Sequence, residues 1–269
     1  MSFFTPFAFY NTPVGFDPDA QAFITATGIS GSNATAINTL VLNLKSYSIW
    51  TKLQAAYPLI GGTANSNKYN LMNPVDTDAG FRLTFSGGVT HDANGITFNG
   101  TNGYATTFFT PSTNYASADS AHISIYNRTA AKTSGFFLAA RTIAGSKYCA
   151  IQFDPTRQNY TSVNSTETLQ GSYTTLQGFI LATRSSSTTE SHYLNSSLVT
   201  TVTRNSNSFT NNALTLGARN QATPASPQAA TYTAYNCAFA TIGTGLNGTE
   251  ETNLYNSIQT YQTSLGRQV

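Results

Sequence analysis

Charge is scarce in this chain. Only 9% of its 269 residues are Asp, Glu, Lys or Arg, and the net charge is +2. The thirteen Lys and Arg stand singly. No basic cluster is available to neutralise a phosphate backbone, so no nucleic acid is expected as a partner. Cysteine is scarcer still, with Cys149 and Cys237 alone, each inside an apolar run. Two cysteines in so long a chain make no disulfide framework, and both are expected as buried free thiols. No stretch approaches the roughly 18 consecutive apolar residues of a membrane span, so no membrane is expected as a partner. The start of the chain lacks the charged region, long apolar middle and small-residue cleavage site of a signal peptide.

The chemistry-bearing residues are equally thin. His91, His122 and His192 lie far apart in sequence, none at metal-ligand spacing, so neither a metal nor a cofactor is expected. There is no Gly-x-Ser-x-Gly elbow and no phosphate-binding glycine loop. The eleven acidic residues are mostly isolated. Glycoside hydrolysis needs two carboxylates about 5 to 9.5 Å apart, and no strand carries acids on alternate residues to supply them. A non-enzymatic protein without catalytic residues is expected. Asp76-Thr77-Asp78 is the one acidic pair. It reads as capping a turn after Pro74 and pairing with Arg82, since no third carboxylate lies nearby to cage calcium.

What the chain has is small polar and aromatic residues. About a third is Ser, Thr or Asn, hydrophobics reach 40% and aromatics 12%. Thr, Tyr and Phe suit pleated, half-buried surfaces. With 40% hydrophobics, the low charge does not mean disorder. Seven Asn-x-Ser/Thr sequons read as a by-product of this composition.

Residues 1–16 open with Phe3, Phe4, Phe7, Phe9 and Tyr10, which are costly to leave in water. Either they pack on their own domain or they form a docking segment that inserts into a partner, which makes them assembly residues. Residues 17–57 read as a helical module. Asp17 caps, Pro18 starts and Gly28 ends a first helix. Ile37, Leu40, Val41, Leu44 and Tyr47 give a second helix its buried face, a pattern that resumes at Ile49, Trp50 and Leu53 and stops at Pro58.

From residue 58 the period turns to two. Phe81–Phe85, Ile96–Phe98, His122–Tyr126, Phe136–Arg141, Lys147–Phe153, Gly178–Arg184, Ser191–Leu194, Leu198–Thr203, Ala213–Ala218 and Asn236–Ile242 read as strands. Gly95–Pro111 reads as strand, glycine turn, strand. Asn220–Ala230, with two prolines, reads as an exposed loop. A closing helix over 247–265 starts on the Asn247/Glu250 capping box. The expectation is a mainly β chain: a concanavalin A-like jelly-roll sandwich over 58–269, with the N-terminal helical module and the C-terminal helix appended. Tyr104, Tyr115, Tyr232 and Tyr235 lie near predicted loops or strand ends. Each is either core packing or a platform for a sugar. The loops 111–120 and 220–235 make Tyr115, Asn220, Tyr232 and Tyr235 the candidate ligand contacts.

Within Trp50–Pro111 and just before it, the pieces Ile49-Trp50-Thr51-Lys52, Tyr57-Pro58, Gly61-Gly62-Thr63-Ala64, Asn70-Leu71, Asp76-Thr77-Asp78, Phe81-Arg82-Leu83 and Phe85-Ser86-Gly87-Gly88 occur in order. As a set they resemble bacteriophage virion proteins, notably from phages of Bacteroidetes hosts. Asn99-Gly100-Thr101-Asn102-Gly103-Tyr104, Leu214–Arg219 and Leu246–Leu254 look like the early turn, closing strand and helix of a laminin-G-like domain. The chain departs from that domain where a hairpin Asn-Gly is usual and Asn195-Ser196-Ser197 stands instead. The resemblance implies a structural protein at the virion surface, on head, tail or fibre, with capsid, tail or fibre subunits as partners. It also implies a homo-oligomer and a host surface glycan as further partner. The alternatives are a glycan-active depolymerase and a secreted bacterial carbohydrate-binding protein.

Overall fold

The computed structural model describes residues 15–143, 147–154, 160–166, 175–222, 226–227 and 231–269. The helices are α1 (Pro18–Thr27), α2 (Gly31–Ser46), α3 (Ala64–Asn67), α4 (Pro111–Asn114) and α5 (Gly248–Ser264). The first strands are β1 (Leu53–Tyr57), β2 (Thr84–Ser86), β3 (Val89–Asp92), β4 (Gly95–Asn99), β5 (Tyr104–Thr106), β6 (Ala121–Asn127), β7 (Gly135–Thr142) and β8 (Lys147–Phe153). They are followed by β9 (Tyr160–Ser165), β10 (Gly178–Arg184), β11 (Thr189–Leu194), β12 (Ser197–Thr203), β13 (Thr215–Leu216), β14 (Arg219–Ala222), β15 (Ser226–Pro227) and β16 (Ala234–Gly243).

Two sheets face each other as a jelly-roll sandwich. The first runs β12-β11-β10-β6-β16-β4-β3, with β1 also on β16. β4 pairs with the start of β16 (Ala234–Cys237) and β1 with its end (Ala240–Gly243). The second runs β15-β14-β7-β13-β5-β2, and β8 and β9 extend it from β7. The pairs are antiparallel except β14 with β7. Ile96, Phe98, Ile123, Ile125, Ile180 and Ile242 of the first sheet meet Leu138, Ile151 and Leu216 of the second in one buried core.

The first sheet is covered on its other face as well. Tyr126, Phe179, Leu181 and Phe239 pack there against Phe23, Ile37, Leu40 and Leu44 of α1 and α2 and against Leu254, Ile258 and Tyr261 of α5. Each such side chain is worth about 1.5–3 kcal/mol of burial. β6 and β10 are consequently buried along their whole length. The polar positions of His122-Ile123-Ser124-Ile125-Tyr126 therefore do not meet water. His122 bonds through its ring nitrogens to the Thr244 carbonyl (2.6 Å) and the Thr241 hydroxyl (3.1 Å), and Ser124 also bonds Thr241.

Local signals set the helix ends. Asp17 accepts from the Asp19 amide, and Gly28 ends α1 at φ 70°. The Asn247/Glu250 box starts α5. The expected module over 17–57 is corrected at its end. Ser48 turns the chain at φ 60°, one tight helical turn follows over Trp50–Lys52, and Leu53–Tyr57 is a strand. Ile49, Trp50 and Leu53 read as a resumed helical pattern, but Leu53–Tyr57 serves a sheet, because β16 offers an unpaired edge beyond β4.

Other elements depart from expectation. Phe81 sits at φ 55° after a tight turn over Asp78–Gly80, so only Thr84–Ser86 is strand there. Ala213–Ala218 is regular strand only over Thr215–Leu216. The supposed loop after Asn220 contains β14 and β15. The glycine turn of Gly95–Pro111 is present, but it joins strands of different sheets. Asn99 Oδ1 accepts from the amides of Thr101, Asn102 and Gly103 to shape that crossing.

Candidate functional site

Three of the four expected ligand contacts are buried. Tyr115 is 5% exposed, with its ring against Phe109 and Phe209 and its hydroxyl donating to the His122 carbonyl at 3.1 Å. Tyr235 is 2% exposed, stacked on Phe98 and edge-on to Phe137, with its hydroxyl bonded to the Phe137 carbonyl. Asn220 is fully buried beside Ala140 of β7, and its Nδ2 donates to the Ala213 carbonyl at 3.0 Å. These residues hold the core together and do not present a surface. Nearness to a loop misleads here, because a tyrosine at a strand end lowers its free energy by turning inward when a carbonyl waits for its hydroxyl. Tyr232 is half-buried, and its ring lies 6.2 Å from that of half-buried Tyr104. The assembly residues Phe3, Phe4, Phe7, Phe9 and Tyr10 lie outside the described residues.

The Tyr104/Tyr232 pair lies on the outer side of the second sheet. Side chains alternate along a strand. Ala105 points into the core, so Tyr104 and Thr106 point out from the second sheet. The same side of the sheet carries Phe136, Ala139, Tyr148 and Ala150 as a separate cluster, all of them buried. Arg141 stacks on Tyr148 with its guanidinium carbon 4.6 Å from the ring centroid, and Arg219 stacks on Phe136 at 4.5 Å. Asn212 donates to the Arg141 carbonyl at 2.6 Å. Arg141 Nε, Asn212 Oδ1 and Asn220 Oδ1 are buried without a hydrogen-bond partner. Among the described residues no carboxylate pairs with Arg141. A flat donor fork and half-buried aromatic rings are groups that orient a polyhydroxylated ligand. Only register could have revealed this surface, since Arg141 faces Tyr148 across the β7–β8 pair.

Several ionisable groups pair with one another elsewhere. Asp76 pairs with Lys68 (2.6 Å) and Arg82 (2.8 Å), and Asp78 also meets Arg82 (3.1 Å), so the expected pairing with Arg82 is present, whereas the turn over Asp78–Gly80 has no side-chain cap. Hydrogen bonds from Lys68 and Arg82 hold the Asp76 carboxyl below its ordinary range. A fully buried network, unforeseen from sequence, ties the two sheets. Glu190 bonds Arg184 (2.8 Å) and His192 (3.1 Å) in its own sheet, and it accepts from the Val163 amide and Ser165 hydroxyl (both 2.9 Å) of β9. Burial alone would raise the Glu190 carboxyl. The bond from His192 and the charges of Arg184 and Arg204 outweigh it, so the net shift is downward. The sequence signal was the hairpin, which sets Arg184 opposite Glu190.

Both thiols are free and buried, and burial pushes each up to about 12, far from a nucleophile's range. Among the described residues no three His, Cys, Asp or Glu converge to hold a metal ion.

No family model and no curated protein matches the chain. Solved structures do. A Trypanosoma rangeli sialidase in complex with 2,3-difluorosialic acid is similar at 13% identity and a TM-score of 0.50, over 82% of this chain and 38% of that one. A botulinum neurotoxin type C structure, described by a cell entry that depends on two ganglioside molecules, is similar at 14% identity and a TM-score of 0.50. That likeness covers 80% of this chain and 53% of the toxin chain. The chain thus spans between about a third and about half of these proteins, and what it shares with them is the mainly β sandwich fold.

Proposed function

We propose that this chain is a non-enzymatic, lectin-like surface protein of a bacteriophage particle, whose sandwich recognises a glycan of the host. The observation that carries the recognition half is the outward face of the second sheet. Half-buried Tyr104 with Tyr232, and half-buried Arg141 flat on Tyr148, stand on it. The particle half is supported by the motif set of Trp50–Pro111. Several of its members have structural duties: Asn70, fully buried, donates to the carbonyls of Gln54 and Gly80 and accepts from the amides of Ala56 and Met72. Capsid, tail or fibre subunits are the partners on this reading, a homo-oligomer is the assembled form, and Phe3, Phe4, Phe7, Phe9 and Tyr10 are its docking residues.

The test has two arms. The labelled intact chain, applied to a glycan array that includes host capsular sugars, is expected to bind at least one. Antibody labelling of particles by electron microscopy is expected to place it on the surface, and deletion of residues 2–13 to abolish incorporation. An array without binding removes the recognition half. Normal incorporation of the deletion variant removes the docking role.

A further inference from the structure

A groove of about 440 Å³ opens between α3 and the edge strand β2, lined by Asn65, Lys68, Arg82, Leu83, Thr84 and Phe85 among others. Its size falls within the roughly 300–1,000 Å³ of small-molecule clefts. We propose that this groove is a saccharide site for a neutral hexose unit. The proposal rests on the glycan-binding reading above and adds to it a second place, apart from the outer face of the second sheet, with a ligand class.

The groove is pre-organised. The Leu83 amide donates to the Lys68 carbonyl at 2.7 Å and so joins the two walls at the floor. Leu83 itself is 2% exposed. Phe85 is half-buried, and its ring meets His91 edge-on at 4.5 Å. His91 is held in turn by Asn67, 3.2 Å from Nδ1. Burial lowers the His91 pKa, which keeps the ring neutral and its Nδ1 free to accept from the Asn67 amide. A ring fixed in this way at a groove wall packs against the C–H side of a pyranose at little cost in ordering.

Charge selects the ligand class. Lys68 and Arg82 line the groove, and Asp76 and Asp78 neutralise them through a chain of contacts of 2.6, 2.8 and 3.1 Å. Two cations against two carboxylates leave no net field to attract an anion. Asp76 takes one of the three Lys68 donors, so others remain for hydroxyl oxygens. Exposed Asn65 and Thr84 add donors and acceptors at the rim. The free edge of β2 could in principle take a peptide strand. But β2 has only three residues, and the Leu83–Lys68 bond closes the edge at its start, which favours a compact ring over an extended chain.

The test is protein-observed NMR titration of the intact chain with methyl glycosides of glucose, galactose, mannose and N-acetylglucosamine, and with methyl glucuronide and an extended tetrapeptide. Thr84→Trp and Asn65→Trp fill the groove from exposed positions, and Leu42→Ala, at an exposed position of α2, serves as the control. At least one neutral glycoside is expected to shift resonances of Lys68, Arg82 and Phe85. Either groove variant is expected to weaken it at least tenfold with an unchanged melting temperature, and Leu42→Ala to leave it unaltered. Glycoside or array binding that survives both groove variants overturns this site while leaving the glycan-binding reading intact. Shifts from the glucuronide alone or from the tetrapeptide alone overturn the ligand class. An intact chain that binds no glycan overturns both.

Discussion

His122 shows how a single polar residue is made to fit a doubly covered sheet. Fully buried, it is pushed down to about 4 from an ordinary 6.5, mainly by burial, with the bond to the Thr244 carbonyl opposing. Lys52 lowers it further and Glu250 raises it. The imidazole is therefore neutral in the folded chain. Between pH 6.5 and about 4 the unfolded chain holds that proton more tightly, so stabilisation that is complete above 6.5 is lost as pH falls through this window. The two values differ by an amount worth about 3 kcal/mol. Denaturant midpoints measured from pH 7.5 to 4 should fall accordingly, and His122→Asn should flatten that dependence while lowering stability at neutral pH. A slope unchanged by the substitution would assign the acid sensitivity elsewhere.

At the scale of elements, turns carry as much of the specification as strands. Asn195 and Ser196 take φ values of 49° and 62°, which joins β11 to β12 as a type I′ hairpin although no glycine is present. What holds it is a reciprocal pair: Asn195 Oδ1 accepts from the Phe179 amide at 2.7 Å, and the Asn195 amide donates to the Phe179 carbonyl at 2.8 Å. Asn195→Ala strands a buried N–H and places a side chain that disfavours positive φ there, so it should cost about 1–3 kcal/mol in chemical denaturation. Asn195→Gly should recover part of the loss. An Ala variant as stable as the parent would mean that the turn is held by its strands alone.

The same scale explains what was legible. KYCAIQF and GFILATR were readable as strands because both of their faces are apolar or packed, and the α5 capping box was readable because capping is local. Leu53–Tyr57 was not, since only the distant β16 edge decides between helix and strand. Nor was the burial of Tyr115, Asn220 and Tyr235, which depends on carbonyls contributed by His122, Ala213 and Phe137. The outward face with Arg141 and Tyr148 needed a register that no single strand reveals.

The whole molecule is a three-layer stack of helices, sheet and sheet, and its layers share side chains. Without residues 15–57, Tyr126, Phe179, Leu181 and Phe239 would lose much of their cover, and the end of β16 would lose its partner β1. A fragment of residues 58–269 should therefore fail to fold cooperatively, with dye-binding apolar surface and no sharp melting transition. A sharp transition in that fragment would make the helices an appendage.

Recognition of a glycan without cleavage is the claim on which the functional account rests. Titration calorimetry of the intact chain against host surface polysaccharide, with the polysaccharide sized by chromatography before and after, tests it most directly. Saturable binding with an unchanged size distribution is the predicted result. No heat of binding, or a polysaccharide shortened in proportion to protein and time, would contradict it.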